Sequence, residues 1–290
     1  MFLRQLEYLT ALAREQHFGR AAAACNVSQP ALSTAIRKLE GELGVELVQR
    51  SGGRAELTPE GADLLRWADL TLVGVEGLRS EAARLKTELR GRLRLGVIPT
   101  ALPAVGRIVQ PLLERHPGVD LEVSAMSSRD IGLQMGAHGI DAGVTYLDNE
   151  PLGDVVTEPI YEERYVFVTP DSRKRGAIEW ADLDGVEICL LSGEMQNRRI
   201  LDGLLREARA APKVRLETNS ISALFSFLRS GWPCVVSQAW LDLYGVPEGM
   251  SARRIEGPEA SHEIGLVVPQ TGLMPPTVRA LLETVGEGRR

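Results

Sequence analysis

Residues 18–44, FGRAAAACNVSQPALSTAIRKLEGELG, constrain the fold more than any other stretch of the chain. Alanines over 19–25 predict a short helix that a neighbour can cross at close range. Asn26 and Val27 make a tight turn, and Ser28 stands where it can cap the next helix, with Pro30 tolerated in its first turn. From there Leu32, Ala35, Ile36, Leu39 and Leu43 recur on one face, while Gln29, Ser33, Thr34 and Arg37 point outward. A buried packing helix has no use for a polar, proline-bearing first turn. A helix that inserts that turn into a DNA major groove does. Gln suits adenine and Arg guanine, Ser and Thr suit phosphates or base edges, and Pro30 offers a surface to a thymine methyl. By itself the stretch also fits a helical hairpin with a solvated polar face.

The flanks extend the pattern. Leu3 to Glu15 is helical by its apolar spacing (Phe2, Leu6, Leu9, Ala13), and Gly44 ends the helix that Ser28 begins. VELVQRSGGRAELT reads as two short strands around a Ser51-Gly52-Gly53 turn, a small wing. Behind a Thr58 cap, a long helix runs from Pro59 to about Leu89. Its positions Leu64, Ala68, Thr71, Val75, Leu78, Ala82, Leu85 and Leu89 alternate spacings of four and three, a heptad seam. Such a helix pairs most economically with its twin, and Leu64, Val75, Leu78 and Leu85 are the expected dimerisation positions.

After Gly91 the period changes. RLRLGVIP, GVDLEVSAM and IDAGVTY are strands separated by helices, and YEERYVFVTP leads away into a second set of alternating elements; HEIGLVVPQ and the helix after Pro276 return. Two α/β lobes joined by two crossings suggest a ligand held between them. Charge divides in the same place: residues 1–90 hold 12 basic and 12 acidic residues, the remainder 21 and 27. The three cysteines are odd in number, far apart and lack metal-ligand spacing, which argues for a reducing compartment and against a zinc site. The charged amino terminus is no signal peptide and no run is long enough for a membrane span. A cytoplasmic protein with no membrane contact is expected.

HFGRAAAACNVSQPALSTAIRKLEGELGVELVQRSGGRAELTPEG resembles the amino-terminal domain of LysR-type transcriptional regulators. The matching residues are Phe18, Ala21-Ala22, Ser28-Gln29-Pro30-Ala31, Ser33, Ile36, Leu39-Glu40, Leu43-Gly44, Leu47, Arg50, Leu57-Thr58 and Gly61; His17 and Val48 depart from the family's usual Ser and Phe. The resemblance implies a winged helix-turn-helix over 1–58 and a linker dimerisation helix over 59–90. A two-lobe, periplasmic-binding-protein-like α/β effector domain follows over 91–290, with lobe I about 91–161 and 268–290 and lobe II about 162–267. It implies a homodimer or homotetramer on double-stranded promoter DNA, RNA polymerase as a further partner, backbone or minor-groove contacts from Arg50 and Arg54, and a small-molecule effector between the lobes with no cofactor.

The resemblance places that effector at strand ends facing the cleft, and local chemistry agrees. Thr100, Ser128, Thr145, Tyr146, Gln196, Asn197 and Ser220 all stand at strand ends or helix starts, where hydroxyls, amides and free backbone N–H groups favour an anion. Each could equally be a satisfied helix cap. Arg198 or Arg199 would supply a counter-charge, and the few aromatic residues argue against a large aromatic ligand. EMQNRRILD resembles family members associated with formate-dehydrogenase operons, which makes formate one candidate among small carboxylates. The alternative is a cytoplasmic α/β enzyme with an oligomerising front domain. It needs a catalytic set, and His17, His116, His138 and His262 make no motif with the cysteines or carboxylates. Cys189 and Cys234 stand in apolar, strand-like runs where a small buried residue is ordinary.

Overall fold

Local capping chemistry sets the first elements. The computed structural model describes residues 1–51, 54–84, 89–148, 150–170, 176–257, 261–270 and 274–288. Helix α1 (Leu3–Glu15) is followed by α2 (Phe18–Ala24), whose first turn is capped by His17: Nδ1 accepts from the Gly19 and Arg20 N–H groups at 3.0 and 3.4 Å. That cap is the role His17 plays here. Helix α3 (Gln29–Leu43) opens with Ser28 accepting from the Ala31 N–H and closes on Gly44 in the left-handed region, φ 73°. Leu6, Leu9, Leu12, Leu32, Ile36, Leu39 and Leu47 form the core, and the fully buried Ala21 and Ala22 let α2 lie close against its neighbours. Phe2 and Leu43 are exposed, outside the core expected for them.

The wing pairs β1 (Val48–Ser51) with β2 (Arg54–Leu57), Arg50 opposite Ala55 and Ser51 opposite Arg54; Gly52 and Gly53 lie outside the described residues. Glu40 ties it to α3, its carboxylate accepting from the Leu47 and Val48 N–H groups at 3.0 and 3.2 Å. Thr58 then caps the long helix α4 (Pro59–Arg84), accepting from the Gly61 N–H at 2.8 Å and donating to the Glu46 carbonyl at 2.6 Å. Gly61 explains itself: a Cβ there would lie 2.1 Å from the Leu47 carbonyl oxygen.

The chain divides into two compact units, Met1–Glu88 with Leu273–Pro276, and Leu89–Gly272 with Thr277–Arg290. The long helix therefore groups with the helix-turn-helix front. Its seam is also divided. Ala68 is buried and Leu64 half-buried against the front domain's own core, and Thr10 donates to Asp69 at 2.7 Å across the α1–α4 contact. Val75 is half-buried, whereas Leu78 is 71% exposed, as are Trp67 at 69% and Leu70 at 41%. Leu85 lies outside the described residues.

In the larger unit, β3 (Arg90–Val97), α5 (Leu102–Arg115), β4 (Gly118–Ala125), α6 (Ser128–Gly136) and β5 (Ala142–Tyr146) build lobe I, with β3 parallel to both β4 and β5. The 15-residue β6 (Val155–Thr169) crosses to lobe II. There β7 (Ile178–Glu179), β8 (Glu187–Leu191), α7 (Gln196–Glu207), β9 (Lys213–Thr218), α8 (Ile221–Arg229), β10 (Cys234–Ser237), α9 (Gln238–Tyr244) and β11 (Ser251–Glu256) follow. Strand β12 (Ser261–Pro269) returns alongside β6, and α10 (Pro276–Glu287) ends the chain on lobe I. The strand path β4-β3-β5-β12-β6-β10-β8-β9 runs through both lobes, with β11 on β6 and β7 on β11. The mixed α/β arrangement is the one the alternation of strands and helices predicts.

The lobe boundaries fall later on the way out and earlier on the way back than 161 and 268. Strand β6 stays paired with β12 as far as Arg164 opposite Ser261, and its pairing with β10 begins at Tyr165. Strand β12 already pairs with β5 from Ile264 opposite Tyr146 to Val267 opposite Gly143, so these residues belong to lobe I.

Gly61→Ala is expected to destabilise the front unit by about 2 kcal/mol or more, because a backbone carbonyl cannot yield as a side chain would. Urea unfolding of the full chain followed by circular dichroism measures it; an unchanged midpoint of the front unit's transition refutes the close-packing account.

Candidate functional site: a DNA-reading helix and an inter-lobe cavity

Gln29, Pro30, Thr34 and Arg37 are exposed on α3, one face of its amino-terminal half. Ser33 departs from the expected outward set. It is 8% exposed, and Arg37 folds back over it, Nε 3.5 Å from the Ser33 carbonyl. Position 33 neighbours Leu32 and precedes Ile36, so a slight rotation of the helix toward its core takes it inward. Lys38 lies over the Phe2 ring at 5.4 Å, a cation–π contact that accounts for the exposed Phe2.

The residues expected to hold a small molecule fall into three groups. Ser128, Thr145 and Gln196 line one cavity of about 400 Å³, together with Arg129, Glu150 and the apolar Ile131, Met135 and Val267. Ser128 and Gln196 are the first residues of α6 and α7, so two helix starts, one from each lobe, meet there. Thr145 is 1% and Gln196 3% exposed. The Ser128 and Thr145 hydroxyls and both ends of the Gln196 amide are buried without a hydrogen-bond partner among the described residues.

Thr100, Tyr146 and Asn197 form the second group, a buried network in which these three each have partners, while Glu163 at its centre keeps one carboxylate oxygen without a partner among the described residues. The Tyr146 hydroxyl donates to Glu163 and accepts from Thr100 at 3.3 Å and from the Asn197 amide at 3.1 Å. The same amide reaches Glu163 at 3.3 Å and the Tyr165 hydroxyl at 3.4 Å. Trp240 of lobe II donates its indole N–H to the Thr100 carbonyl at 3.1 Å, closing the network across the lobes. Burial pushes the Glu163 carboxyl up from its ordinary range, against the opposing donors, Tyr146 first. Burial first and Glu163 second push Tyr146 well up, so its phenol stays protonated.

Ser220 stands alone. It is exposed and caps α8, accepting from the Ala223 N–H at 3.3 Å, and it does not line the cavity. Neither arginine offered as a counter-charge is free. Arg198 is held by Asp202, Glu217 and the Leu191 carbonyl, and Arg199 makes a two-pronged pair with Glu150 at 2.7 and 3.0 Å. Arg129, which sequence reasoning passed over, is the cation on the cavity wall. Glu163 and Tyr165 were also missed; they sit in a strand whose charged alternation reads as solvated.

The thiols are packed away. Cys189 and Cys234 are fully buried opposite one another on β8 and β10; the contact between them pushes the Cys234 thiol up and the Cys189 thiol down, and burial keeps both from solvent. No metal-binding group of His, Cys, Asp or Glu exists among the described residues, and no helix among them is long and apolar enough to cross a membrane.

A buried carboxyl with a raised pKa makes a signed pH prediction. From about pH 4.5 upward the unfolded chain ionises Glu163 while the folded chain keeps its proton, so this group's contribution to stability falls as pH rises. The loss is about 1.4 kcal/mol for each pH unit between the two pKa values. Relative to Glu163→Gln, the parent protein is therefore expected to lose stability as pH rises above about 4.5 in urea titrations. A difference that stays flat shows the carboxylate to be ionised in the fold.

Comparison with known proteins places this geometry. The family described as "Bacterial regulatory helix-turn-helix protein, lysR family" matches residues 3–62, and "LysR substrate binding domain" matches residues 86–290. The Escherichia coli K12 DNA-binding transcriptional dual regulator OxyR is 30% identical over 80% of this chain and 77% of its own length. A probable hydrogen peroxide-inducible genes activator of Mycobacterium xenopi is 38% identical over 58% of this chain and 89% of its own length. Among solved structures, a full-length Pseudomonas aeruginosa OxyR carrying a cysteine-to-aspartate substitution superposes with TM-score 0.76 at 26% identity, covering 98% of this chain and 94% of that one. CbnR complexed with its target DNA gives 0.69 at 20% identity, covering 99% of both, a likeness of fold. These relatives give no support to formate. With the helix-turn-helix and the two-lobe unit each matched over nearly their whole length, the chain belongs to the LysR family of DNA-binding transcriptional regulators.

Proposed function

We propose that the inter-lobe cavity is the effector site of this regulator and that it takes a small organic anion, a carboxylate first of all. The observation that carries this reading is the set of four buried, unpartnered polar atoms on Ser128, Thr145 and Gln196. Each such atom costs about 1–3 kcal/mol when left unmet, and a ligand that meets them recovers that energy. Their donors, the two helix starts and Arg129 all favour negative charge.

Ser128 and Thr145 belong to lobe I and Gln196 to lobe II, so one ligand bonds both lobes and favours the arrangement in which it does so. Thr100, Tyr146 and Asn197 then act as the rigid floor beside the site. Ser220 drops out as a ligand contact. The peroxide named for the relatives is not carried over to this chain, because none of Cys25, Cys189 and Cys234 lines the cavity.

At the front, Gln29, Pro30, Thr34 and Arg37 read promoter DNA in the major groove, with Arg50 and Arg54 of the wing on its backbone. The near-neutral front unit binds weakly alone, so affinity comes from several copies on one DNA. Self-association uses the exposed side of α4, with Trp67 and Leu70 joining Leu78 and Val75, while Leu64 serves mainly the front core; Leu85 remains a further candidate from its place in the heptad.

Two experiments test these parts. Footprints on the intergenic DNA upstream of the gene should lengthen, shorten or shift with one member of a panel of small carboxylates, with hydrogen peroxide as a separate arm. Gln196→Leu should abolish that shift and leave ligand-free protection in place; a normal shift in the variant moves the site elsewhere. Paired Trp67→Glu and Leu78→Glu changes should lower the mass measured by light scattering, and an unaltered mass refutes pairing through this face of α4.

A further inference from the structure

One wall residue of the inter-lobe cavity runs against the rest. Glu150 is a carboxylate, and it lines a space whose other polar groups favour negative charge. Both of its oxygens are taken by Arg199 of α7, Nε to Oε1 at 2.7 Å and Nη2 to Oε2 at 3.0 Å. The planar fork of a guanidinium holds any carboxylate in this two-pronged way, whatever molecule carries it. Arg199 itself does not line the cavity; its partner Glu150 does.

The guanidinium does not depend on Glu150 for its place. Its Nη1 donates to the Glu194 carbonyl at 2.7 Å and to the Gly193 carbonyl at 3.3 Å, just before α7 begins. Arg199 follows Gln196 by three residues, so the two side chains share one face of that helix. Glu150 has less to hold it. Residues 150–154, between β5 and β6, lie in neither helix nor strand, and the Glu150 side chain is 27% exposed. A partly exposed ion pair of this kind is weak, so its carboxylate can be exchanged.

We propose that the Glu150 carboxylate is an internal stand-in for the effector's own, and that Arg199 is a binding residue of the site which the resting protein conceals. This rests on the inter-lobe cavity being the effector site. An incoming carboxylate displaces Glu150 from the fork and takes Arg199 from the lobe II side, with Gln196 beside it. Ser128, Thr145 and Arg129 meet the ligand from lobe I. At Arg199 one carboxylate replaces another, so the gain comes from the buried Ser128, Thr145 and Gln196 atoms that Glu150 leaves unmet. Glu150 returns to water. An uncharged analogue cannot displace it, so the exchange selects for charge.

The test is calorimetric titration of the full-length protein with acetate, lactate and succinate, with acetamide as the uncharged control. The two halves of the pair are expected to act in opposite directions. Glu150→Gln removes the competitor and should tighten an acid by about threefold or more, the scale of a partly exposed pair. Arg199→Gln removes the fork and leaves Glu150 as a bare negative charge on the wall; it should weaken the acid about tenfold or more. Acetamide should gain nothing in either variant. Both side chains are partly exposed, and a thermal melt confirms that each variant is folded. A pair that only ties the lobes together moves both variants in the same direction, and that result overturns the proposal. So does an acid that binds Glu150→Gln no tighter than the parent, or the absence of saturable binding by any acid to either protein. Gln196→Leu separates the stand-in from the site it occupies. Binding lost in Gln196→Leu, with the two other variants moving together, keeps the effector site and sinks the stand-in. Binding that Gln196→Leu leaves unchanged sinks both.

Discussion

The antiparallel ladder between β6 and β12 is the constraint on which the larger unit depends, because both crossings between the lobes are made by this one pair of strands. Its register runs from Val155 opposite Pro269 to Arg164 opposite Ser261 with one irregularity between Ile264 and Gly265, and β6 continues beyond it to pair with β10 of lobe II. A two-stranded ribbon of that kind fixes which residues face which. Glu163 and His262 are directly paired, and Tyr146, at the end of the neighbouring β5, meets Glu163 by hydrogen bond and His262 by ring edge at a centroid distance of 6.3 Å. Asp148 in turn holds His262 Nδ1 at 3.1 Å. The polar groups at the crossing are thus mostly spent on one another, which buries a carboxyl where two lobes meet without leaving it to water.

That network gives the neighbouring cavity its meaning. Thr100, Tyr146 and Asn197 have partners at ordinary hydrogen-bond distances, and Ser128, Thr145 and Gln196 do not. Residue type does not separate the two groups, since each holds hydroxyls and one amide. Accounting for partners does: buried polar groups are nearly always paired, so a cluster that is not paired awaits something. Glu150 shows the same division from the other side. Its carboxylate lines the cavity yet is occupied by Arg199 across the lobes, which leaves Arg129 as the charge available to a ligand.

How much of this was legible in the chain depended on whether the cause was local. The Ser28 cap, the Gly44 stop and the Thr58 cap rest on neighbours in sequence, and each stands where its residues predict. Ser33 did not, because it is buried beside Leu32 by the packing of the whole front core, which no local pattern shows. The α4 seam misled in a related way: the spacing was helical, but Leu64 and Ala68 face the chain's own core and Trp67 and Leu70 take their place outside. Glu163 was invisible, since YEERYVFV alternates charge like a strand with one wet face; only the pairing with β12 and the ends of β5 and α7 bury it. The same blindness put the return crossing near 268 when β12 had rejoined lobe I at Ile264.

The cysteines show why likeness to the relatives fixes the family more firmly than the signal. Sequence placed Cys189 and Cys234 in apolar strands, and the structure adds that they oppose one another in parallel strands within the lobe II core. Proximity alone suggests a redox pair. Reactivity, however, needs a thiolate and access to oxidant. Both side chains are fully buried, so although the contact between them lowers Cys189 while it raises Cys234, neither meets solvent. A thiol so placed is a core residue first. The cavity wall of this unit instead carries the Ser128 and Thr145 hydroxyls, the Gln196 amide and Arg129, which is why the proposed response to small molecules rests on these groups and not on the thiols.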